Sequence, residues 1–436
     1  MAEMNPSGIA WIGEIPSDWE IIRLKQYAYL KGRIGWQGLK AEEFVDEGPY
    51  LVTGTDFDEG RVCWERSYHI SEERYDEAPQ IQLRVGDLLV TKDGTIGKLA
   101  YIDNLPGKAS LNSHLLVVRP LRGKFFNEFL YWVLASTVFQ SYYELTSDGS
   151  TMDSLSQEKI GDLHFAIPPL PEQRAIATFL DDRCGQVDSI LADLERQIEI
   201  LRQYKKALIT EAVTKGLDKS VPMKDSGIDW IGEMPKHWEI KRLKFLGTAR
   251  NGLTYAPEDV VDEDKGVLVL RSSNIQNDVL AFEDNVYVKT KIPHELILQE
   301  NDLLICSRNG SQALIGKCAL IDKKTAGQTY GAFMCVYRSR YNKFIHYALL
   351  SDIFSYYLGT FLTSTVNQLT NQNLYNIRIP IPLNLKEQAD IVAYLDKKCA
   401  KIDELIAEKQ KATEIMRKYK KSLIYEYVTG KKRVAR

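Results

Sequence analysis

The chain has 436 residues, 44% hydrophobic and 26% charged, with 56 basic against 59 acidic side chains and a formal charge of −3. That length allows two or three domains with their own cores, and the near balance of charge excludes a molecule whose overall field gathers nucleic acid, so such binding would have to come from local basic patches. No apolar run approaches the ~18–20 residues of a membrane span, the N-terminus lacks the basic start and apolar block of a signal peptide, and the six cysteines form no C-x-x-C pair or zinc-type cluster, which points to reduced, mostly buried thiols in a cytoplasm.

The first segment, Ser7–Lys25 (SGIAWIGEIPSDWEIIRLK), is punctuated by Trp11, Gly13, Pro16 and Trp19. It is too short to bury its own tryptophans, so they read as anchors packed on another part of the chain rather than as platforms for stacking a sugar or a base. Short Val/Ile/Leu/Tyr strands bounded by Gly, Asp and Asn follow, among them YLVTGTDF at 50–57 and VGDLLVTKDGTIGKLAYID at 85–103, and then an aromatic helical stretch at 125–145. Residues 26–166 thus read as an α/β or α+β globule. The proline-rich break IPPLP at 167–171 opens a long helix to about 215. Its residues Leu180, Cys184, Val187, Leu191, Leu194, Ile198, Leu201, Leu208 and Ala212 recur in steps of four and three, interrupted only at Lys205. A 3.5-residue repeat held that long is a coiled-coil seam, on a rod roughly 60 Å long at 1.5 Å per residue.

A charged linker at 216–225 follows, and then the chain repeats itself. Ser226–Lys244 (SGIDWIGEMPKHWEIKRLK) matches the first segment at 14 of 19 positions, placing Trp230, Gly232, Pro235 and Trp238 on the earlier Trp, Gly, Pro and Trp. A second globule, 245–380, carries LVLRSSNI at 268–275, ENDLLICSRNGSQALIGKCALID at 300–322 and another aromatic helical stretch at 341–362. IPIP at 379–382 opens a second long helix, identical to the first at 19 of 43 positions over Glu387–Thr429. Its seam is Leu395, Cys399, Ile402, Ile406, Met416 and Leu423, weakened at Lys409 and Thr413. Two matched rods with one apolar stripe each most simply bury the stripes against each other. The expected divisions are therefore 1–166, 167–215, 216–225, 226–380 and 381–436. The framework is kept and the middles have drifted, as they would in two copies doing one job on two different targets.

Catalytic motifs fail one by one. Gly310–Cys318 has one residue too many between its glycines for a phosphate-binding loop and a cysteine where Mg²⁺ needs Ser or Thr, so it reads as a strand–loop–strand turn. Pro257–Lys265 is one solvated acidic run, whereas two-metal chemistry needs carboxylates converging from neighbouring elements. No methyl-donor tetrad, H-E-x-x-H or G-x-S-x-G occurs. The chain is expected to do no chemistry itself.

The paired signatures, SGIAWIGEIPSDWEIIRLK with its copy, IPPLPEQRAIATFLDDRC with IPLNLKEQADIVAYLDKKC, and YKKALITEAVTKG with YKKSLIYEYVTGK, closely resemble one family, the specificity subunits of type I restriction–modification systems. The resemblance runs the whole length in the family's order. It implies an α/β (α+β) fold with two globular target recognition domains joined by two long antiparallel coiled-coil helices in a pseudo-twofold internal repeat. It implies a clamp on double-stranded DNA that reads two half-sites across an unspecified gap, with two methyltransferase subunits and two restriction/motor subunits as partners. S-adenosylmethionine, ATP and Mg²⁺ would sit on those partners, with no cofactor or metal on this chain. A specificity chain whose partner fuses methylase and nuclease is a close alternative. A coiled-coil scaffold that binds protein is an alternative of another class, and it predicts no salt-dependent DNA affinity.

An asymmetric split site needs two unlike readers on one ruler, and bases are read by hydrogen-bonding side chains on loops that reach the major groove. The loops rich in such groups are Thr53–Asp56, Lys92–Lys98 and Asn112–His114 in the first globule, and Arg271–Asn274, Ser307–Gln312 and Asn367–Asn373 in the second. DNA-binding candidates are Thr53, Thr55, Asn112, His114, Arg271, Ser272 and Asn274. The preferred base readers are Arg308, Asn309 and Gln312, opposite Lys92, Asp93 and Thr95, with Lys98 and Lys317 suited to phosphates. The basic patches Arg202–Lys206 and Arg417–Lys421 sit near helix C-termini, where cations also favour the helix dipole.

Overall fold

A computed structural model describes residues 3–33, 39–146, 154–361 and 368–434. The chain divides into two compact units, one of Met1–Leu194 with Lys411–Arg436 and one of Glu195–Gln410. The division cuts both long helices, Leu170–Lys215 and Leu385–Val428, so each unit holds the start of one and the end of the other.

In the first unit a four-stranded antiparallel sheet runs Leu99–Tyr101, Leu88–Thr91, Leu115–Pro120, Ala28–Gly32. The second unit repeats it with Cys318–Leu320, Leu303–Cys306, Met334–Arg338 and Thr248–Asn251. A second sheet accompanies each, with Ala109–Leu111 parallel to Phe44–Val52 in one unit and Thr329–Tyr330 parallel to Val267–Leu270 in the other. The central strands Leu88–Thr91 and Leu303–Cys306 are buried throughout, which explains their unbroken apolar runs. Each aromatic stretch is two helices rather than one, Asn127–Ala135 with Thr137–Thr146 and Asn342–Leu350 with Asp352–Phe361. The break comes at Ser136 and Ser351, whose hydroxyls donate back to Val133 O and Ala348 O (2.6 Å each) and accept from the next helix.

The long helices run antiparallel within each unit. In the first unit the Phe179 and Tyr427 rings lie 4.5 Å apart and Lys420 Nζ is 2.6 Å from Asp188. In the second, Lys409 Nζ donates to Gln197 Oε1 (2.6 Å) and Lys205 Nζ binds Asp403 (2.8 Å). The polar interruptions Lys205 and Lys409 therefore find partners on the opposite helix, and Thr413 is buried. Leu180, Cys184, Val187, Ile198, Leu395, Cys399, Ile402 and Leu423 are buried. Leu191, Leu194, Leu201, Leu208, Ile406 and Met416 are half-buried, because two helices alone cover only one side of a seam position. Burial pushes the Cys184 and Cys399 thiols up to about 11, which keeps them protonated packing groups. All six cysteines are free, and Cys63 alone is not buried.

The Trp-Pro segments dock on helix ends. In the first unit Ile12 shares a core with Leu423, Ile424 and Val428, and Tyr425 Oη donates to Ile12 O (3.2 Å). In the second, Trp238 shares a core with Ile209, Ala212 and Val213. Each helix stops at a glycine in the left-handed region, Gly430 (φ +71°) and Gly216 (φ +70°), directly beneath a Pro-Trp pair. A β-carbon on Gly430 would meet Pro16 Cδ at 2.4 Å, and one on Gly216 would meet Trp238 Cζ2 at 3.3 Å. Trp19 and Trp238 are the buried anchors expected, while half-buried Trp11 and Trp230 pack against Tyr142 and Tyr356. The 216–225 stretch is more ordered than a free linker, since Met223–Asp225 pairs with Glu233–Pro235.

Candidate nucleic-acid interface

In each unit the candidate loops leave the same end of the two sheets. In the first unit Asn112 N donates to Val52 O (3.0 Å), Lys92 N donates to His114 O (2.9 Å), and a β-carbon on Gly54 would touch Thr91 Cγ2 at 2.9 Å. The loops carrying Thr53, Lys92 and Asn112 are thereby one cluster. Thr55, Thr95, Lys98 and His114 are exposed on it, and Thr53, Lys92, Asp93 and Asn112 are half-buried. His114 Nδ1 lies 3.2 Å from Asp93 Oδ2. Lys98 N bonds the Thr91 hydroxyl at 2.9 Å, which pins the neck of the hairpin while the Lys98 side chain stays in solvent.

The second unit builds the equivalent cluster from Arg271–Asn274, Ser307–Gln312 and the turn Gly331–Met334. Asn309 Nδ2 donates to Ser272 Oγ (3.1 Å), and Gly331 N to Leu270 O (3.0 Å). Ser307 N, Arg308 N and Ser307 Oγ all donate to Phe333 O at 2.9–3.0 Å. Arg308 and Gln312 are exposed, whereas Ser272, Asn309 and Lys317 are half-buried. Cys306 N bonds Lys317 O (2.8 Å) as Thr91 N bonds Lys98 O (3.0 Å), so Lys98 and Lys317 hold the same station. The second hairpin carries four extra residues between these stations.

One candidate, Asn274, and one residue that ends a candidate loop, Asp56, hold the loops rather than face outwards. Asn274 is fully buried and donates through Nδ2 to Ala281 O (3.0 Å) and Asn285 Oδ1 (3.1 Å), while its Oδ1 accepts from Arg271 N (2.9 Å). A side chain so engaged cannot reach a base edge, and Asn274 is corrected to a turn clamp. Asp56 fills the matching place, accepting from Thr53 N (2.7 Å), Thr53 Oγ1 (3.0 Å) and Ser67 Oγ (3.2 Å), with burial pushing its carboxyl above the usual range. Arg271 is held at 2.9 Å by Asp284. Of the Asn367–Asn373 loop, Asn367 lies outside the described residues, and Thr370 caps a short helix, Asn371–Asn376. Phe333, which belongs to none of the polar loop sets, is 61% exposed with the Arg308 guanidinium 5.6 Å from its ring centroid. It stands in the apolar run AFMCV and reads as strand core until the strand is seen to begin at Met334.

The basic patches on the helices are largely spent inside the units. Lys205, Lys206 and Lys420 pair with Asp403, Asp352 and Asp188 at 2.6–2.8 Å. In the tail, Arg433 binds Asp18 and Glu172 (2.7 Å each).

The model of the type I restriction modification DNA specificity domain matches this chain twice, at residues 16–203 and 235–415. The chain belongs to that family. It is 26% identical over 433 residues to the type I restriction enzyme MjaVIII specificity subunit of Methanocaldococcus jannaschii, covering 96% of this chain and 94% of that one. It is 29% identical over 237 residues to the EcoKI specificity subunit of Escherichia coli, covering 52% and 47%. A chain solved in work on complex assembly and conformational transition of the type I R-M system superimposes with a TM-score of 0.68 at 17% identity, covering 95% of this chain and 98% of that one. The two family matches fall on the two halves of the repeat, so each specificity domain carries one loop cluster. Among the described residues no group of three or more His, Cys, Asp or Glu side chains is placed to hold a metal ion, and no helix is long and apolar enough to cross a membrane.

Proposed function

We propose that the chain is the non-catalytic DNA specificity subunit of a type I restriction–modification complex, with each loop cluster reading one half of a bipartite, asymmetric duplex site. The observation that carries this reading is the duplicated frame with unlike loops. Backbone stations are retained from Thr91 to Cys306 and from Lys98 to Lys317, while the side chains displayed between them change from Lys92, Asp93 and Thr95 to Arg308, Asn309 and Gln312. Hydrogen-bonding groups on rigidly tied turns are what base-edge recognition needs, and Lys98 and Lys317 suit phosphate contacts beside them.

Methylation and cleavage then belong to partners: two methyltransferase subunits using S-adenosylmethionine and two motor–nuclease subunits using ATP and Mg²⁺. The family membership supports assembly with other subunits. The test is to co-express the chain with its cognate methyltransferase subunit in a host lacking adenine methylation and to map modified adenines by single-molecule sequencing. One split motif, methylated on both strands across a fixed gap, is expected. A complex that forms yet marks no defined sequence would overturn the reading in favour of a protein-binding scaffold.

A further inference from the structure

The two units place a contacting pair of side chains at the same two backbone positions. Strand pairing sets Thr91 opposite Leu115 and Cys306 opposite Met334. Counting outwards from these stations, Asp93 corresponds to Arg308 and His114 to Phe333. In the first unit the pair is Asp93 with His114. In the second it is Arg308 over Phe333. The backbone is common to both, since the carbonyls of His114 and Phe333 each accept from the start of the hairpin loop. What changes is the chemistry: a carboxylate with an imidazole in one unit, a guanidinium with a phenyl ring in the other.

Phe333 cannot retire into the core. Three donors hold its carbonyl, Met334 N closes the turn on Gly331 O (2.8 Å), and the adjoining strand spends Met334 and Val336 on the interior. Arg308 is tied from its other flank as well, where its backbone bridges to Gln368 and Leu369 N donates to Ser307 O (2.8 Å). A large apolar ring is therefore displayed in water on a rigid turn, carrying a guanidinium on its face. Such a ring is stabilised when an apolar surface covers it, and a guanidinium stacked on an aromatic face has fewer rotamers to lose when it forms a fork of hydrogen bonds.

Resting on the DNA reading above, we propose that Arg308 and Phe333 act as one reading unit for the second half-site. Arg308 donates to O6 and N7 of a guanine, and Phe333 covers the 5-methyl group of a thymine at the adjoining step. The thymine methyl is the apolar group that base edges offer in the major groove, and the guanine pair of acceptors is the usual partner of an arginine fork. Phe333 is then a specificity residue that polar-loop reasoning does not find.

The test uses the complex of the full chain with its methyltransferase subunit on duplexes bearing the mapped site. Each thymine of the second half-site is replaced in turn by deoxyuridine, which removes the 5-methyl and nothing else. One replacement is expected to weaken the wild-type complex about fourfold, the worth of one buried methyl. The F333A complex is expected to bind the unmodified site about tenfold more weakly and to ignore that same replacement, while its response to changes in the first half-site stays wild-type. R308K is expected to lose roughly tenfold or more of the discrimination at the adjoining guanine. If every replacement leaves the wild type unchanged, if F333A remains sensitive to the same one, or if the second half-site has no thymine beside a guanine, this inference falls while the DNA reading stands. A wild-type complex that discriminates no sequence at all removes both.

Discussion

The two units share a set of buried polar ties that hold their frames together and differ most at the loop tips that stand open to solvent. Asp87 and Asp302 are both buried, and each receives an arginine fork, from Arg119 Nε and Nη2 (2.6 Å each) and from Arg338 Nε (2.8 Å) and Nη2 (2.6 Å). Asn127 Nδ2 ties Gly86 O to Val118 O, and Asn342 Nδ2 ties Asn301 O to Tyr337 O. Gln173 Nε2 and Gln388 Nε2 each close the helix entry on a proline carbonyl, Pro168 O and Pro382 O. Against this sameness stand Asp93 and Arg308, or His114 and Phe333, on equivalent turns. Buried polar groups tolerate little change because a lost partner leaves a desolvated group unpaired, whereas a loop tip in solvent can exchange charge for its opposite. One frame thus supports two readers.

The comparison breaks most readily at the buried carboxylates. D87A and D302A each strand an arginine and a loop amide, Arg84 N or Gln299 N, and should each cost about 3 kcal/mol in urea unfolding, since breaking a largely buried pair is far costlier than losing a surface one. A large loss at one aspartate and none at the other would deny the equivalence. The helix-end glycines should sharpen it. An alanine at Gly216 meets the left-handed backbone strain and a tight contact with the Trp238 ring at 3.3 Å, together about 1 kcal/mol, while at Gly430 it overlaps Pro16 at 2.4 Å and should cost about 3 kcal/mol.

A third difference appears with pH. His346 is buried in the second unit, close to Cys318 Sγ (3.8 Å), and desolvation followed by the charge of Lys205 lowers it to about 4. Its place in the first unit is taken by Tyr131. The folded state therefore binds the proton less readily than the unfolded chain, whose histidine titrates near 6.5. Above that pH the group carries no penalty, and between 6.5 and about 4 the second unit should lose about 1.4 kcal/mol per pH unit. Hydrogen exchange read separately in the two units should show that slope, and H346F should remove it.

The smallest effect concerns the two-stranded sheets. In the first unit Asp162 neutralises Lys25 (2.9 Å) and Arg23 (2.7 Å). In the second, Arg242 stands directly opposite Arg378, and Asn376 occupies the place of Asp162. N376D should restore the ion pair and gain about 0.5 kcal/mol, fading at high salt.

Much of this was legible in the sequence because duplication left two witnesses to each framework element. The long helices and their seam followed from proline breaks and apolar spacing that both halves repeat, and the anchoring role of the Trp segments and the four-residue lengthening of the second hairpin from setting one half beside the other. The loops gave less. Asn274 and Asp56 look like polar loop residues, and only turn geometry shows that they face inwards and clamp the backbone. Phe333 fails in the opposite sense, as an apolar residue that strand periodicity assigns to the core although it precedes the strand. The breaks at Ser136 and Ser351 were hidden because serine is tolerated inside a helix and terminates one only when its hydroxyl turns back on the main chain.

The most direct test of one frame with two independent readers is to exchange residues 245–380 for the corresponding segment of a relative with a different target and to map adenine methylation by the co-expressed complex. The account predicts that one half of the split motif changes to the donor's while the other half and the gap stay as they were. A motif altered in both halves, or left unaltered in both, would contradict it.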